Sequence, residues 1–318
     1  GIVMVNITHP GVGFTLDNMQ AFDTSKVKTP SFVNFLFDMV PVNIVDSMAK
    51  NQIMQMIFFT VLVGVALVSL GEKVAGVTKI FDQCASIIYK MLDIVMLYSP
   101  IGVLALMANT TAVFGPKLFG VLAKFVFTDW VGCLLIWFFF SGIVWLYTKV
   151  NYLEMCKSMI PIWVNTIATN SSAGTIPITL NVTTERLKVP MSIASFSIPL
   201  GATINLTGAA LYKTILAFFV AEIYGLQLTI DQILMVIIIS TIMSIAAPGI
   251  PGGGIVTGAI FLNLLGLPMD LMGPIAGMYR LIDMSHTTVN VSGDVLGTML
   301  VAKNENIWTG EDFNKTLV

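Results

Sequence analysis

The chain has 318 residues, of which 56% are hydrophobic and only 11% are charged, and its net charge is −2. A soluble domain carries about twice that charged fraction, and the mean hydropathy is +0.86. These values exclude an ordinary soluble domain and the basic field of a nucleic-acid-binding protein. We predict an all-α polytopic protein of the cell (plasma or inner) membrane, embedded in the lipid bilayer. Its uncharged runs reach the roughly 17 to 25 residues that cross a bilayer: 54–70, 130–147, 191–212 and 232–268.

The N-terminal part of the chain precedes the polar motifs. Residues 1–30 predict the end of a transmembrane helix, whose beginning lies outside the sequence, and then an extracellular loop. Residues 31–113 predict further membrane helices with a kink at Pro100, because proline removes a helical hydrogen bond. The span 118–150 is rich in aromatic residues, which are typical of interface depth. The cysteines lack the spacing of metal ligands and are interpreted as small hydrophobic residues: Cys84, Cys133 and Cys156.

Two apolar segments in the second half are interrupted by Gly, Pro and Ser. The interruptions lie at 170–177 and 247–254, and each precedes a long span with polar residues at mid-course. Backbone unwound at membrane depth must be buried in protein or face water, because lipid cannot satisfy its hydrogen bonds. Paired interrupted segments in a membrane chain indicate the binding site of a transporter built from inverted repeats.

Basic residues flank only the first interrupted segment. No Lys or Arg occurs between Ile215 and Tyr279. By the positive-inside rule, the first segment enters from the cytoplasm and the second from outside. The pattern predicts two helical hairpins that meet near the membrane midplane. The flanking basic residues are Lys149, Lys157, Arg186 and Lys188.

The stretch 281–294 gathers unusual polarity in this apolar chain. At helical spacing, one face carries Asp283, Thr287, Asn290 and Asp294, with His286 beside it. An ionised carboxylate inside a bilayer costs roughly 2.5 to 3.5 kcal/mol on insertion scales, so each aspartate requires a substrate amine, a cation or a proton. A structural alternative stays open, in which Arg280 pairs with Asp283 and only holds helices together.

Asn205, on the preceding span, offers an amide oxygen at a comparable depth. Together with carboxylates and unwound backbone carbonyls it makes a hard oxygen site, which suits an alkali cation better than a transition metal. The hydroxyl and N–H groups of 171–175 and 249–254 suit a substrate carboxylate. A phosphate loop at 249–254 is disfavoured, because the following Lys-Ser/Thr is missing and the run is apolar.

Four motifs occur in a specific order: SSAGTIP at 171–177, GATIN at 201–205, GIPGGG at 249–254, and Asp283-Met284 followed by Thr287 and Asn290–Asp294. With them the chain, from about residue 31 to 304, resembles the dicarboxylate/amino acid:cation symporter family, which includes glutamate and aspartate transporters. The resemblance implies a homotrimer with the glutamate-transporter-homologue fold, two re-entrant helical hairpins, broken helices and inverted repeats. It also implies a transport part that moves across the membrane like an elevator.

The resemblance divides the chain into parts. Residues 31–113 correspond to scaffold (trimerisation) helices and 114–304 to the transport domain, with 305–318 as a C-terminal tail. Hairpin 1 covers about 152–185 and hairpin 2 about 230–265.

The resemblance also assigns the site residues. Asp283 corresponds to the aspartate that binds the substrate α-amino group. The substrate-binding set is Ser171, Ser172, Ile250, Gly254, Asp283, His286, Thr287 and Asn290. One sodium site would use Gly201, Asn205, Asn290 and Asp294, and a second would use Thr203, Leu206, Ser244, Ile245 and Ala247. Sodium is the expected coupling ion, a proton is the alternative, and no other cofactor is expected.

Departures from the family pattern bear on function. The family usually has Asn-Met-Asp-Gly where this chain has 205–208, so Thr207 replaces a carboxylate and leaves a third cation site in doubt. Members that carry acidic substrates have an arginine where this chain has His286. That arginine holds the side-chain carboxylate through its planar fork, which histidine cannot form. Asn170 stands where some prokaryotic members have an arginine.

His286 leaves three interpretations open. It is a neutral donor to a polar, uncharged substrate, or a protonated group that accepts an acidic substrate or couples proton movement, or a packed, hydrogen-bonded residue. Asp283 favours a substrate with an α-amino group over a plain C4-dicarboxylate, because an unpaired carboxylate would repel a dianion.

We therefore predict a secondary active symporter, not an enzyme, that moves a small neutral or polar amino acid with cations, preferably sodium. The alternatives are symport of glutamate, aspartate or a C4-dicarboxylate, with proton coupling through His286, and an ion channel, since paired hairpins can line pores. An intramembrane enzyme would need a nucleophile with a base, or a metal cluster, and the two histidines, His9 and His286, indicate neither.

Overall fold

The computed structural model describes residues 1–13, 36–50, 52–245, 247 and 249–315, and this part of the chain forms helices and no β-strand. The predicted all-α architecture is therefore confirmed. The helices in chain order are α1 (Ile2–Thr8), α2 (Ile44–Ala49), α3 (Ile53–Leu70), α4 (Ala75–Met96), α5 (Ser99–Phe114), α6 (Lys117–Thr148), α7 (Tyr152–Thr169), α8 (Ser172–Asn181), α9 (Met191–Ile204), α10 (Thr207–Ile223), α11 (Ile230–Ile245), α12 (Gly253–Leu264), α13 (Met272–Asn304) and α14 (Gly310–Lys315).

The chain forms two compact units. The smaller is Thr29–Asn109, and the larger combines Gly1–Lys28 with Thr110–Val318. In the smaller unit, the side chain of Asn43 caps α2 by accepting hydrogen bonds from two backbone N–H groups. The kink expected at Pro100 is instead a break between α4 and α5. Proline lies in the first turn of α5, where its missing N–H leaves no hydrogen bond unmade.

Three helical stretches of the described residues are long and apolar enough to cross a membrane. They are Met54–Ile88, Lys117–Thr148 and Met191–Ile223. The shorter helices Ile230–Ile245 and Gly253–Leu264 are also apolar. This pattern confirms the multi-pass membrane character that composition predicts. The direction in which the hairpins enter the membrane stays a prediction.

Helix α13 is the centre of the larger unit. It contacts α6, α7, α8, α9, α10 and α12, and most of its residues between Met272 and Ala302 are buried. Lipid tails are as apolar as leucine, so helix association in a bilayer depends on close packing and interhelical hydrogen bonds. Both are present, since Met155, Ile162 and Val295 share one core and the Trp163 indole donates to the α13 Ser292 hydroxyl.

The helix pairs α7–α8 and α11–α12 coincide with the two predicted interrupted segments. Between α7 and α8, Asn170 takes the left-handed conformation at φ 52°, and the Ser171 hydroxyl caps α8 by accepting from the Gly174 N–H. Between α11 and α12, Gly252 has φ 76°, which glycine adopts without steric cost. The two breaks touch, because the Ser171 hydroxyl donates to the Gly249 carbonyl oxygen at 3.2 Å.

Candidate functional site

A small cavity lies where the two breaks meet the middle of α13. It holds about 20 Å³, close to the roughly 10–15 Å³ that one water molecule requires. An amino acid therefore requires the surrounding segments to move apart. The lining residues are Asn170, Ser172, Leu206, Ala209, Ala247, Gly249, Ile250, Gly254, Thr257, Tyr279, Asp283, His286, Thr287 and Asn290.

The cavity gathers most of the residues that the sequence assigns to substrate. Its lining includes seven of them, and the eighth, Ser171, lies next to Ser172 and contacts Gly249. These residues come from three separate segments of the chain, so the fold alone brings them together. Their role in binding stays a prediction.

Asp283 connects α13 to the α11–α12 break. Its Oδ2 accepts a hydrogen bond from the Gly252 N–H at 3.1 Å. Arg280 does not pair with it in the described part of the chain, and instead donates to the Ala168 carbonyl oxygen at 3.3 Å. The structural alternative of an Arg280–Asp283 bridge is therefore wrong for this conformation.

The approach of α12 to α13 explains one glycine of the GIPGGG motif. A Cβ on Gly254 would overlap the Tyr279 hydroxyl. The close approach places the α12 N-terminus beside Asp283, and any larger residue would displace it.

His286 forms a buried hydrogen bond with Asp129 of α6. Its Nε2 lies 2.9 Å from Asp129 Oδ1, and the two side chains are 1% and 0% exposed. The Ser285 hydroxyl donates to Asp129 Oδ2 at 2.9 Å, so both carboxylate oxygens have a partner. The other ring nitrogen of His286, Nδ1, is buried without a hydrogen-bond partner among the described residues.

Asp129 was not among the residues that the sequence indicated for the site. It is the one charged residue between Lys124 and Lys149, in an otherwise apolar span. A lone carboxylate in a membrane helix indicates a functional site whose partner should be sought. The sequence does not reveal that partner, because His286 lies 157 positions away.

Cys133 lies one helical turn after Asp129 and is buried, as expected of a small hydrophobic residue. Possible ligand atoms of Asp129, Cys133 and His286 lie within 4.8 Å of one another. These residue types bind transition metals. Here the two oxygens of Asp129 are engaged by His286 and Ser285.

The first predicted sodium site is assembled around Asp294. The Asn205 Nδ2 donates to Asp294 Oδ1 at 2.8 Å and to the Asn290 carbonyl oxygen at 3.2 Å. A Cβ on Gly201 would overlap the Asp294 carboxylate, so α9 approaches α13 closely here. Asp294 Oδ2 is buried, and no described residue donates to it. A buried, partnerless carboxylate oxygen fits a monovalent cation.

The amide oxygens at this first site already have protein partners. Asn205 Oδ1 accepts from the Thr207 hydroxyl at 2.8 Å, and Asn290 Oδ1 accepts from the Gly208 N–H at 2.7 Å. Thr207, which replaces a family carboxylate, therefore orients Asn205. Each amide oxygen accepts one hydrogen bond and keeps a second lone pair, whereas Asp294 Oδ2 has no donor among the described residues.

The second predicted sodium site is not assembled in the same way. The Thr203 hydroxyl donates to the Leu200 carbonyl oxygen at 2.7 Å, and Ile245 is exposed. Ser244 is buried, but its hydroxyl accepts a hydrogen bond from Lys213 Nζ at 3.2 Å. This lysine was not among the residues that the sequence indicated for the site, although it is a charge within a long apolar run.

The chain is similar to a known protein family and to several known proteins. The model of the sodium:dicarboxylate symporter family matches residues 1–304. A proton/glutamate-aspartate symporter of Bacillus subtilis (strain 168) is 31% identical over 318 residues, which cover 98% of this chain and 77% of that protein. A proton/glutamate-aspartate symporter of Escherichia coli (strain K12) is 31% identical over 316 residues, covering 96% and 72%. A C4-dicarboxylate transport protein of Bacillus subtilis (strain 168) is 30% identical over 315 residues, covering 96% and 74%.

These matches agree with the motifs and with the helical membrane architecture. Family and relatives are symporters, so the predicted non-enzymatic, cation-coupled transport is confirmed at that level. The chain belongs to the sodium:dicarboxylate symporter family and is a cation-coupled transporter of the cell membrane.

Proposed function

We propose that the protein is a symporter of an acidic amino acid, glutamate or aspartate, with a C4-dicarboxylate as the second candidate. The observation that carries this proposal is the buried Asp129–His286 pair beside the cavity. The sequence alone favoured a small neutral or polar amino acid. We revise that preference, because His286 contacts Asp129 and the relatives are named for acidic substrates.

Asp129 converts His286 into a candidate binder of carboxylate. Asp129 Oδ1, at 2.9 Å from Nε2, would accept a hydrogen bond from the imidazolium form of His286. In that form both ring nitrogens are donors, and Nδ1–H has no partner among the residues described. A substrate side-chain carboxylate would supply the acceptor. The pair thus offers one charge-assisted hydrogen bond where an arginine would offer two.

Asp283 would bind the other end of an amino acid. Its Oδ2 is held by the Gly252 N–H, and a substrate ammonium would neutralise the carboxylate. The N–H groups and hydroxyls of the two breaks, including Ser172, would bind the α-carboxylate. A C4-dicarboxylate lacks the ammonium and would face Asp283 directly, so we rank it second.

Coupling would involve the first cation site. Gly201, Asn205, Asn290 and Asp294 would hold the cation, whose positive charge would neutralise the buried Asp294 carboxylate. Cation binding would stabilise the α9–α10 break next to the substrate and favour closure of the α11–α12 break. Sodium and a proton both satisfy this requirement, and we rank sodium first because the donors are oxygens.

The division of the chain into a scaffold and a transport domain follows the resemblance. Residues 31–113 would be the scaffold and 114–304 the transport domain, with α7–α8 and α11–α12 as re-entrant hairpins. Assembly as a homotrimer and elevator movement belong to the same proposal.

The test is uptake by purified protein in proteoliposomes. Labelled glutamate, aspartate, succinate and serine would be offered under a sodium gradient and, separately, under a proton gradient. We expect saturable uptake of glutamate or aspartate, weaker uptake of succinate and little uptake of serine. Serine uptake without glutamate or aspartate uptake would overturn the assignment of His286. Succinate uptake above that of both amino acids would favour the second candidate.

A further inference from the structure

Lys213 is a buried lysine that the proposed function does not use. It lies on α10 and its exposed fraction is 0%. Its Nζ donates to the Ala209 carbonyl oxygen at 3.4 Å and to the Ser244 hydroxyl at 3.2 Å. Among the residues the structure describes, no carboxylate oxygen lies within 4.0 Å of Nζ. A lysine with neutral oxygen partners only is rare in a membrane interior and indicates a function.

The ammonium lies at the second predicted cation site. Ser244 is one of the residues assigned to that site, and Ala247 is another. Ala247 packs in one cluster with Leu206, a third member, and with Ala209. The carbonyl of Ala209 is the second acceptor of Lys213. The lysine side chain therefore ends among the residues that a sodium ion would need.

The two cations exclude each other. An ammonium is a compact point charge with three donors, and it presents hydrogen atoms to the oxygens that would face sodium. A sodium ion bound nearby would also be repelled by a like charge in a medium of low dielectric constant. The residues present at the second predicted site therefore do not fit a sodium ion.

We propose that Lys213 is a built-in cation that replaces the second coupling ion. Its ammonium supplies the positive charge between the α9–α10 break and the end of α11, and it remains there throughout the transport cycle. The protein then binds one coupling cation fewer than the resemblance implies, and its coupling depends on the site at Asp294. This inference rests on the proposed function for its consequence in transport, but sodium binding tests it without transport.

The experiment measures sodium bound to the purified full-length chain in detergent, with radioactive sodium ions and choline as the replacement cation. The variants are Lys213→Met, which keeps the length of the side chain and removes its charge, and Lys157→Met as the matched control. Lys157 is exposed and pairs with Glu154 on the surface. Thermal unfolding against sodium concentration provides a second measurement on the same samples.

We expect Lys213→Met to bind one sodium ion more per chain than the wild-type protein and to gain sodium-dependent thermal stabilisation. Lys157→Met should match the wild type. In an Asp294→Asn background, sodium binding should be lost when Lys213 is present and should reappear with Lys213→Met.

Equal sodium binding by the wild type and Lys213→Met would overturn the inference. If Lys213→Met does not fold, the Asp294→Asn variant decides, because sodium binding that persists there with Lys213 intact would require a site beside the lysine. A wild type that binds no sodium would contradict sodium coupling at Asp294, while sodium binding by Lys213→Met alone would still support the built-in cation.

Discussion

The Asp129→Asn substitution tests whether the buried pair makes His286 a carboxylate binder. Asparagine keeps the size of the side chain and removes the negative charge that lies 2.9 Å from His286 Nε2. The imidazolium form that would donate from Nδ1 then has no negative partner at Nε2. We expect weaker binding of glutamate and aspartate, whereas a substrate without a side-chain carboxylate should bind as before.

The size of the effect follows from the single contact that is lost. A hydrogen bond to a charged group contributes about 1.5–3 kcal/mol, and about 1.4 kcal/mol corresponds to a tenfold change in affinity. The apparent Kd for glutamate should therefore rise roughly tenfold to 150-fold. Removing one partner of a buried pair also costs stability, by about 3–5 kcal/mol when a charge remains uncompensated, and loss of the histidine proton reduces that cost.

The assay is substrate binding by calorimetry in detergent, with glutamate and serine measured on the same preparation. Ser285→Ala is the matched control, because it removes a hydrogen bond to Asp129 Oδ2 and leaves the charge in place. Glutamate affinity of this control should change less than that of Asp129→Asn. An equal loss of affinity for glutamate and serine in Asp129→Asn would refute the reasoning, since the pair would then only support the fold.

Three further substitutions test other parts of the site and fold. Asp294→Asn should abolish the dependence of glutamate affinity on sodium, and unchanged dependence would remove Asp294 from the cation site. Gly254→Ala should destabilise the closed site by about 1–3 kcal/mol through overpacking, and adding Tyr279→Phe should restore part of the loss, because the overlapping hydroxyl is gone. Without such rescue the clash is not the cause. Asn151→Ala removes the cap that accepts from the Glu154 N–H at 3.3 Å, and it should lower thermal stability by about 1 kcal/mol without changing glutamate affinity.

The sequence predicts the gathering of the site because its polar motifs interrupt apolar helices. Asp283, Thr287 and Asn290 share one helix face because of their spacing. The breaks at 170–177 and 247–254 must be buried in protein or face water, because lipid cannot satisfy an unwound backbone. The structure brings these segments around one cavity. These segments could be predicted from the sequence alone, because each motif consists of residues that are close together in the chain.

The pairings between distant helices could not be predicted in the same way. Asp129 and Lys213 each appear in the sequence as a single charge within an apolar run, and that signal marks importance without naming a partner. Which helix faces Asp129 depends on how α6 packs against α13, and that packing is set by many apolar contacts of similar strength. Three interpretations of His286 therefore followed from the sequence, and none of them included its contact with Asp129.

The buried ionisable groups bear on the proposed cation coupling. Among the residues that the structure describes, Asp129, Asp283 and Asp294 are buried carboxyl groups, and Lys213 and His286 are buried basic groups. If all five were ionised, one negative charge would remain, and an acidic amino acid would add another. Charge at the bilayer centre is costly, so a domain that crosses it requires cations in proportion to the charge of its substrate. A C4-dicarboxylate would add two negative charges and require one cation more than glutamate, whereas each fixed positive charge such as Lys213 reduces the requirement by one.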